Sequence, residues 1–169
     1  MGFPKPDEAA PYYLTYINRV SDGDILKLLE SQLRDTTNLF EGISEEKSLL
    51  RYAPEKWSIR QVLNHVNDTE RVFAFRAFWF TRGFSDSLPS FDQNIGAVAA
   101  RADEYSWADH VQEFQRIRAT TLALFRNLPS EAWARSGVAS GMSVTVNALA
   151  YIIAGHFAHH MAILRERYL

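Results

Sequence analysis

Apolar residues recur at three- and four-residue intervals along four stretches of the chain, the pattern of helices that each bury one face. The first stretch runs from about Asp22 to Phe40 and carries Ile25, Leu28, Leu29, Leu33, Thr36, Leu39 and Phe40. Ser21, with Asp24 three residues on, resembles a capping box, although Gly23 weakens the start. The second opens at Ser58, whose hydroxyl can accept from the backbone N–H of Gln61 while Gln61 reaches back. Its stripe is Ile59, Val62, Leu63, Val66, Thr69, Val72 and Phe73, and Gly83 just beyond Arg82 suits its end. The third opens at Ser106 with Asp109 and carries Trp107, Val111, Phe114, Ile117, Thr121, Leu124 and Phe125, with Pro129 as a stop. The fourth is capped by Ser143 or Thr145 and runs to the C-terminus.

The segments between these stretches lack such a pattern. Residues 1–20 are expected to be extended, because Pro4, Pro6 and Pro11 interrupt any early helix, with Tyr12, Tyr13 and Tyr16 lying across an apolar surface. Residues 41–57 read as a loop, and 129–142 as a loop rich in Gly and Ser. The connection 83–105 is long, and its alanine-rich part predicts a short helix. A connection of that length can carry the chain between parallel helices as well as antiparallel ones. No stretch makes a convincing hairpin. The expectation is an all-α protein: one four-helix-bundle domain over residues 1–169.

Composition narrows the function classes. With 169 residues, 47% of them hydrophobic, the chain can bury a core of its own. There is no cysteine, which removes disulfides, thiolate nucleophiles and cysteine-based zinc sites. A net charge of −2 gives no footprint for nucleic acid or an anionic membrane. Residues 1–10 hold no apolar signal-peptide core, and no apolar run is long enough to cross a bilayer, so a cytoplasmic protein is expected.

The histidines carry the candidate chemistry. On a helical wheel, His156 and His160 fall in the middle of the apolar stripe defined by Leu149, Ile152, Ile153 and Ile163. Spaced i, i+4, they sit one turn apart on one face. His65 lies on the apolar side of the second helix. Each buried imidazole could be satisfied by ordinary hydrogen bonds, but three converging in one core suggest a shared ion. Neutral imidazole suits Zn, Ni, Cu or Fe, and three protein ligands leave a position open for water or substrate. His159 falls at the edge of the stripe, as a supporting donor or a surface residue. His110 is expected to face solvent.

Candidate bases are few. Glu70 faces inward and could be a base or could pair with a buried arginine such as Arg76; the ion pair is preferred. Asp68 is expected to be exposed, and Asp92 sits in the long connection, from which it could reach the metal end. Arg71, Arg76 and Arg82 form no nucleic-acid stripe and read as solvated or ion-paired. The tryptophans Trp57, Trp79, Trp107 and Trp133 are read as packing. A zincin would need His-Glu-x-x-His, but the residue after His156 is Phe157; P-loop, GxGxxG and GxSxG patterns are absent too.

Two segments also resemble a known family. The run Lys56-Trp-Ser-Ile-Arg-Gln-Val-Leu-Asn-His65-Val-Asn-Asp-Thr-Glu-Arg71 is similar to the second-helix signature of DinB-like (YfiT-like) proteins. Ala154-Gly-His156-Phe-Ala-His-His160 resembles their last-helix signature, and Leu88-Pro-Ser-Phe-Asp92 the linker of one branch. The resemblance covers roughly residues 8–169. It implies a four-helix bundle of up-down-down-up topology. It also implies a metal held by one histidine of the second helix and two of the fourth, here His65, His156 and His160. Homodimers are common in that family. Some members are thiol-dependent S-transferases, in which a metal activates bacillithiol, mycothiol or glutathione; others are assigned as metal-dependent hydrolases. The leading expectation is therefore a metal-dependent enzyme with one divalent ion, zinc or nickel, acting on a small molecule with a low-molecular-weight thiol. A hydrolase, a non-catalytic metal- or ligand-binding module and a metal-free helical scaffold are the alternatives.

Overall fold

The computed structural model describes residues 2–169. Six helices and one hairpin follow in order: α1 Pro11–Ile17, α2 Ile25–Glu41, α3 Ile59–Thr81, α4 Gln93–Ala100, α5 Trp107–Arg126, β1 Ser136–Ala139, β2 Met142–Thr145 and α6 Val146–Arg167. Helices α2, α3, α5 and α6 make a four-helix bundle, and α1 lies along α6. The helix starts follow side-chain capping. Ser58 and Gln61 form the reciprocal capping box of α3, Ser106 accepts from Asp109 N–H at α5, and Thr145 accepts from Ala148 N–H at α6. At α2 the cap is Asp24 alone, which accepts from Leu26 and Lys27 N–H, so the helix begins later than the expected Ser21 start.

Polar contacts fix the relative directions. Asn67 of α3 reaches Glu113 of α5, and Glu70 reaches Arg118, so α3 and α5 advance side by side in the same direction. Along α6 the order reverses: Trp57 and His65 meet Tyr168 and His156 respectively. The residues between α3 and α5, including α4, make the return crossing that two parallel neighbours need.

Three sequence expectations change. The N-terminal segment is not wholly extended, because Pro11 begins α1. Proline is tolerated at the first helical position, where its missing N–H would have had no partner. The Gly- and Ser-rich loop contains an antiparallel hairpin, with Ala139 opposite Met142 and a two-residue turn at Ser140-Gly141. Both turn residues take positive φ, 55° and 75°, as the tight hairpin turn requires. The strands are four residues each, too short for their alternation to stand out. His110 is buried rather than solvent-facing: residues 102–104 fold over the start of α5, and its Nε2 lies 2.8 Å from Ala102 O.

The bundle interior holds one polar knot. Arg118 is fully buried and forks onto both Glu70 oxygens, with Nε–Oε1 at 2.8 Å and Nη2–Oε2 at 2.8 Å. Glu70 is thus ion-paired as expected, but with Arg118 of α5 and not with Arg76. Arg118 Nη1 also donates to Gln32 Oε1 at 2.8 Å, and Gln32 Nε2 donates to Ala154 O at 2.9 Å. The knot therefore joins α3, α5, α2 and α6. Its guanidinium rests on the rings of Phe114 and Phe157, at 5.4 and 5.0 Å.

Packing of α1 depends on Gly155. A Cβ there would lie 2.0 Å from Tyr16 O, so only glycine lets the two backbones approach this closely.

Two predictions follow from this interior. Glu70→Gln leaves Arg118 buried without a counter-charge and should destabilise the fold by about 3–5 kcal/mol in urea titration, whereas the double variant Glu70→Met/Arg118→Met should recover much of that loss. Recovery no better than additive would show that the charges are not coupled. Gly155→Ala should undock α1 at a cost of about 1–3 kcal/mol. Hydrogen exchange should then speed up over residues 11–17 while the α3 core keeps its protection.

Candidate metal centre

The seventh residue of α3 and two residues of α6 bring their imidazoles to one point. His156 Nε2 lies 3.1 Å from His65 Nε2 and 3.1 Å from His160 Nε2, and the candidate donor atoms of all three lie within 4.8 Å of one another. This is the trio expected from sequence. The i, i+4 spacing stacks His156 and His160 on one face of α6, and α3 delivers His65 from across the interface.

The surroundings are apolar and aromatic. Tyr16 of α1 packs its ring edgewise on His156, with centroids 5.2 Å apart, and Trp57 lies 5.0 Å from His65. Tyr168 Oη donates to Trp57 O at 2.6 Å and fixes the approach of the chain to α3. Thr69 Oγ1 lies 3.4 Å from His65 Nδ1, one turn further along the same helix. Burial pulls the proton affinity of all three histidines down. Desolvation, with a smaller push from His159, takes His65 to about 4. Desolvation, then repulsion from His65 and His159, takes His160 to about 3, and desolvation, then repulsion from His160, His65 and His159, holds His156 well below its ordinary value. The three imidazoles are therefore neutral at neutral pH, the form that can donate a lone pair to a metal.

Hydrogen bonding alone serves this arrangement poorly. A neutral imidazole Nε2 carries either one proton or one in-plane lone pair. The Nε2 of His156 faces two others of its kind and can complete only one of those contacts. A single cation accepting one lone pair from each ring satisfies all three Nε2 atoms at once. On a tetrahedral ion with Zn–N bonds of about 2.0–2.1 Å, ligand nitrogens sit roughly 3.4 Å apart, close to the two 3.1 Å spacings made by His156. The donor set therefore fits a divalent transition-metal ion.

The remaining candidates fall elsewhere. His159 is half-buried, with its ring against Tyr16 and His160, and lies outside the trio. Asp68 is half-buried rather than exposed; it accepts from Asn64 Nδ2 and Arg71 Nη1, and burial raises its proton affinity. Glu70 is committed to Arg118. Asp92 caps α4, accepting from Asn94 and Ile95 N–H.

The site also contains residues to which the sequence assigns only packing or ion-pair roles. His65 and His156 line a cavity of about 180 Å³ together with Tyr16, Thr69, Phe73 and Arg76. His160 lines a second cavity of about 230 Å³, walled by Trp57, Lys56, Val62 and Tyr168. Tyr16 is expected from sequence only to lie across an apolar surface, because its segment reads as extended; the structure puts it on His156. Pro11, as a helix-starting proline, was the signal that could have found it.

The fold and the trio can be set beside known proteins. No protein of curated function matches the chain in sequence. Among solved structures, YfiT from Bacillus subtilis, described as a probable metal-dependent hydrolase with an unusual four-helix bundle topology, is 17% identical. The similarity covers 96% of this chain and 91% of YfiT, with a TM-score of 0.64. A mycothiol-dependent maleylpyruvate isomerase is 12% identical, with a TM-score of 0.67 over 81% of this chain and 58% of the isomerase. At these identities the likeness is one of fold. The sequence pattern of the DinB superfamily matches residues 28–164, a span that includes the whole trio and most of the bundle. The chain belongs to the DinB superfamily.

Proposed function

We propose that this protein is a metal-dependent enzyme of the thiol-dependent S-transferase type, with one divalent ion, zinc or nickel, held by His65, His156 and His160. The observation that carries the reading is the convergence of three neutral, buried imidazoles on one point that borders two separate cavities. Two cavities suit two reactants, a thiol and its electrophile. When bound, the ion would supply the Lewis acidity that favours thiolate over thiol near neutral pH.

The chain's own residues have distinct tasks. Burial keeps the imidazoles unprotonated, so that proton competition for the lone pairs is weak. Thr69 Oγ1 beside His65 Nδ1 can accept a hydrogen bond from it, which would leave the Nε2 lone pair for the ion. Tyr16, Trp57 and Phe73 border the imidazoles with aromatic surface and limit water there. In the transfer, sulfur forms a C–S bond, the leaving group departs with the bonding electron pair, and the thiol proton passes to solvent.

Hydrolysis is the second reading, favoured by the description of YfiT. It asks for a base beside the trio. Glu70, Asp68 and Asp92 are each engaged in other contacts, which weighs toward transfer to a thiol.

Elemental analysis of wild type beside His65→Ala and His156→Ala is the first test. About one equivalent of metal in wild type, lost in both variants, is the expected result; a wild type that stays empty after reconstitution overturns the metalloenzyme. With metal established, an electrophile such as monobromobimane should be consumed in the presence of bacillithiol, mycothiol or glutathione at a rate that falls to background in His65→Ala. Turnover of ester or amide substrates by water alone, with no dependence on thiol, would favour the hydrolase.

Acid should destabilise the metal-free protein. The unfolded histidines titrate near 6.5 and the folded ones lower, so the unfolded chain binds more protons as pH falls. Stability is then level above pH 6.5 and declines from there through about pH 4, where His65 becomes protonated. Thermal melts in chelator from pH 7.5 to 4.5 should show this fall, and His156→Leu/His160→Leu should make it smaller, leaving the share of His65.

A further inference from the structure

Arg76 differs from the other deeply buried arginines. Arg118 pairs with Glu70 at 2.8 Å and Arg60 with Glu45 at 2.5 Å. Arg76 is only 4% exposed, yet among the described residues no carboxylate pairs with it. Its partners are all neutral: Tyr13 Oη at 3.5 Å from Nη1, and Pro89 O and Ser140 Oγ at 3.0 Å from Nη2. A guanidinium has five N–H donors in a planar fork, so three contacts leave Nε–H and one Nη1–H uncommitted. A buried cation without a counter-charge is costly, and an anion that supplies one is bound correspondingly well.

The position of this cation gives it a ligand to meet. Arg76 lines the same cavity as His65 and His156. One phenyl ring separates it from the trio: its guanidinium carbon lies 5.5 Å from the Phe73 ring centre, and that ring is 6.4 Å from the ring of His156. Thr69, Phe73 and Arg76 follow His65 at helical spacing along α3, so one face of one rigid helix carries both ends of the cavity. A molecule a few carbons long could place one end at the histidines and the other at Arg76.

We propose that Arg76 is the carboxylate-recognition residue of this cavity, and that the molecule taken there is a small organic acid, a thiol or an electrophile, whose reacting end lies at the trio. The assignment rests on the metalloenzyme reading for the reacting end, but not for the anion end. The free Nε–H and Nη1–H lie on different edges of the guanidinium plane, so each can donate one charge-assisted hydrogen bond to a carboxylate oxygen, and the buried unpaired charge supplies the preference for an anion. Ser140, Pro89 and Tyr13 hold the fork in place from the hairpin, the long connection and α1, so the site is set before the ligand arrives.

Calorimetry on the zinc-loaded protein tests this with matched probes: 3-mercaptopropionate against 3-mercaptopropanol, and 6-mercaptohexanoate against 6-mercaptohexanol. At least one acid should bind about tenfold or more tightly than its alcohol. That preference should vanish in Arg76→Gln and survive in part in Arg76→Lys, with zinc content unchanged in both. Equal binding of acids and alcohols by wild type, or a preference that persists in Arg76→Gln, overturns the assignment. If Arg76→Gln fails to fold, Arg76→Lys and a second readout decide. The ¹⁵N side-chain resonance of Arg76 Nε–H in chelator-treated wild type should shift saturably with 6-mercaptohexanoate and not with the alcohol. That readout needs no metal. A shift in protein that takes up no zinc would leave the anion site standing while the metal reading fails; no shift with the acid would remove the anion site whatever the metal content.

Discussion

A guanidinium sealed from solvent has to be neutralised and hydrogen-bonded where it sits, and the bundle is arranged around meeting that demand for Arg118. Its fork takes Glu70 from α3, its Nη1 takes Gln32 from α2, and Gln32 passes the tie to Ala154 O on α6. Apolar packing alone tolerates small slips between helices, since one methyl contact can replace another. A charged knot with fixed donor and acceptor positions tolerates far less, because any slip leaves a buried charge or amide unpaired. The knot thus sets the axial register of four helices whose hydrophobic stripes would otherwise allow several.

Register is what the histidine trio needs. Three consecutive residues of α6 each face a different neighbour: Ala154 O takes Gln32 of α2, Gly155 admits the backbone of α1, and His156 meets His65 of α3. Fixing the first therefore places the third. A side chain at Gly155 would push α1 away and with it Tyr16, whose ring lies on His156. The site is built on the middle of helices rather than on loops, and the supporting contacts lie within a turn of the donors, conditions that hold convergent groups to a fraction of an ångström.

Much of this was legible in the chain. The Ser58–Gln61 box and the Ser106 and Thr145 caps are local, so they could be read directly, and the face of a helix follows from periodicity. The trio could be named because two of its members share a helix face and the third lies on an apolar stripe. What escaped depends on partners distant in sequence. Periodicity put Glu70 inside but could not choose between Arg76 and Arg118, since that choice depends on which helix lies alongside α3. His110 looked exposed because a wheel describes one helix and not the segment folded over it. Pro11 was read as a breaker because proline signals both the absence of a helix and the start of one, and only docking against Gly155 decides between them.

The electrostatics of the main cavity tie these parts together. Three imidazoles bring no charge of their own, and the nearby carboxylates are spent elsewhere: Glu70 on Arg118, Asp68 on Arg71. A divalent ion at the trio would thus keep nearly all of its charge, in contrast to a site with carboxylate or thiolate ligands. At the far end Arg76 adds a second cation without a protein counter-charge. A low-dielectric cavity with positive charge at both ends favours occupants that carry negative charge at both ends, and disfavours neutral ones of the same shape. A thiolate, or another anionic group, with a carboxylate a few carbons away has that distribution. The charge pattern therefore favours a doubly anionic occupant on the same grounds that single out Arg76.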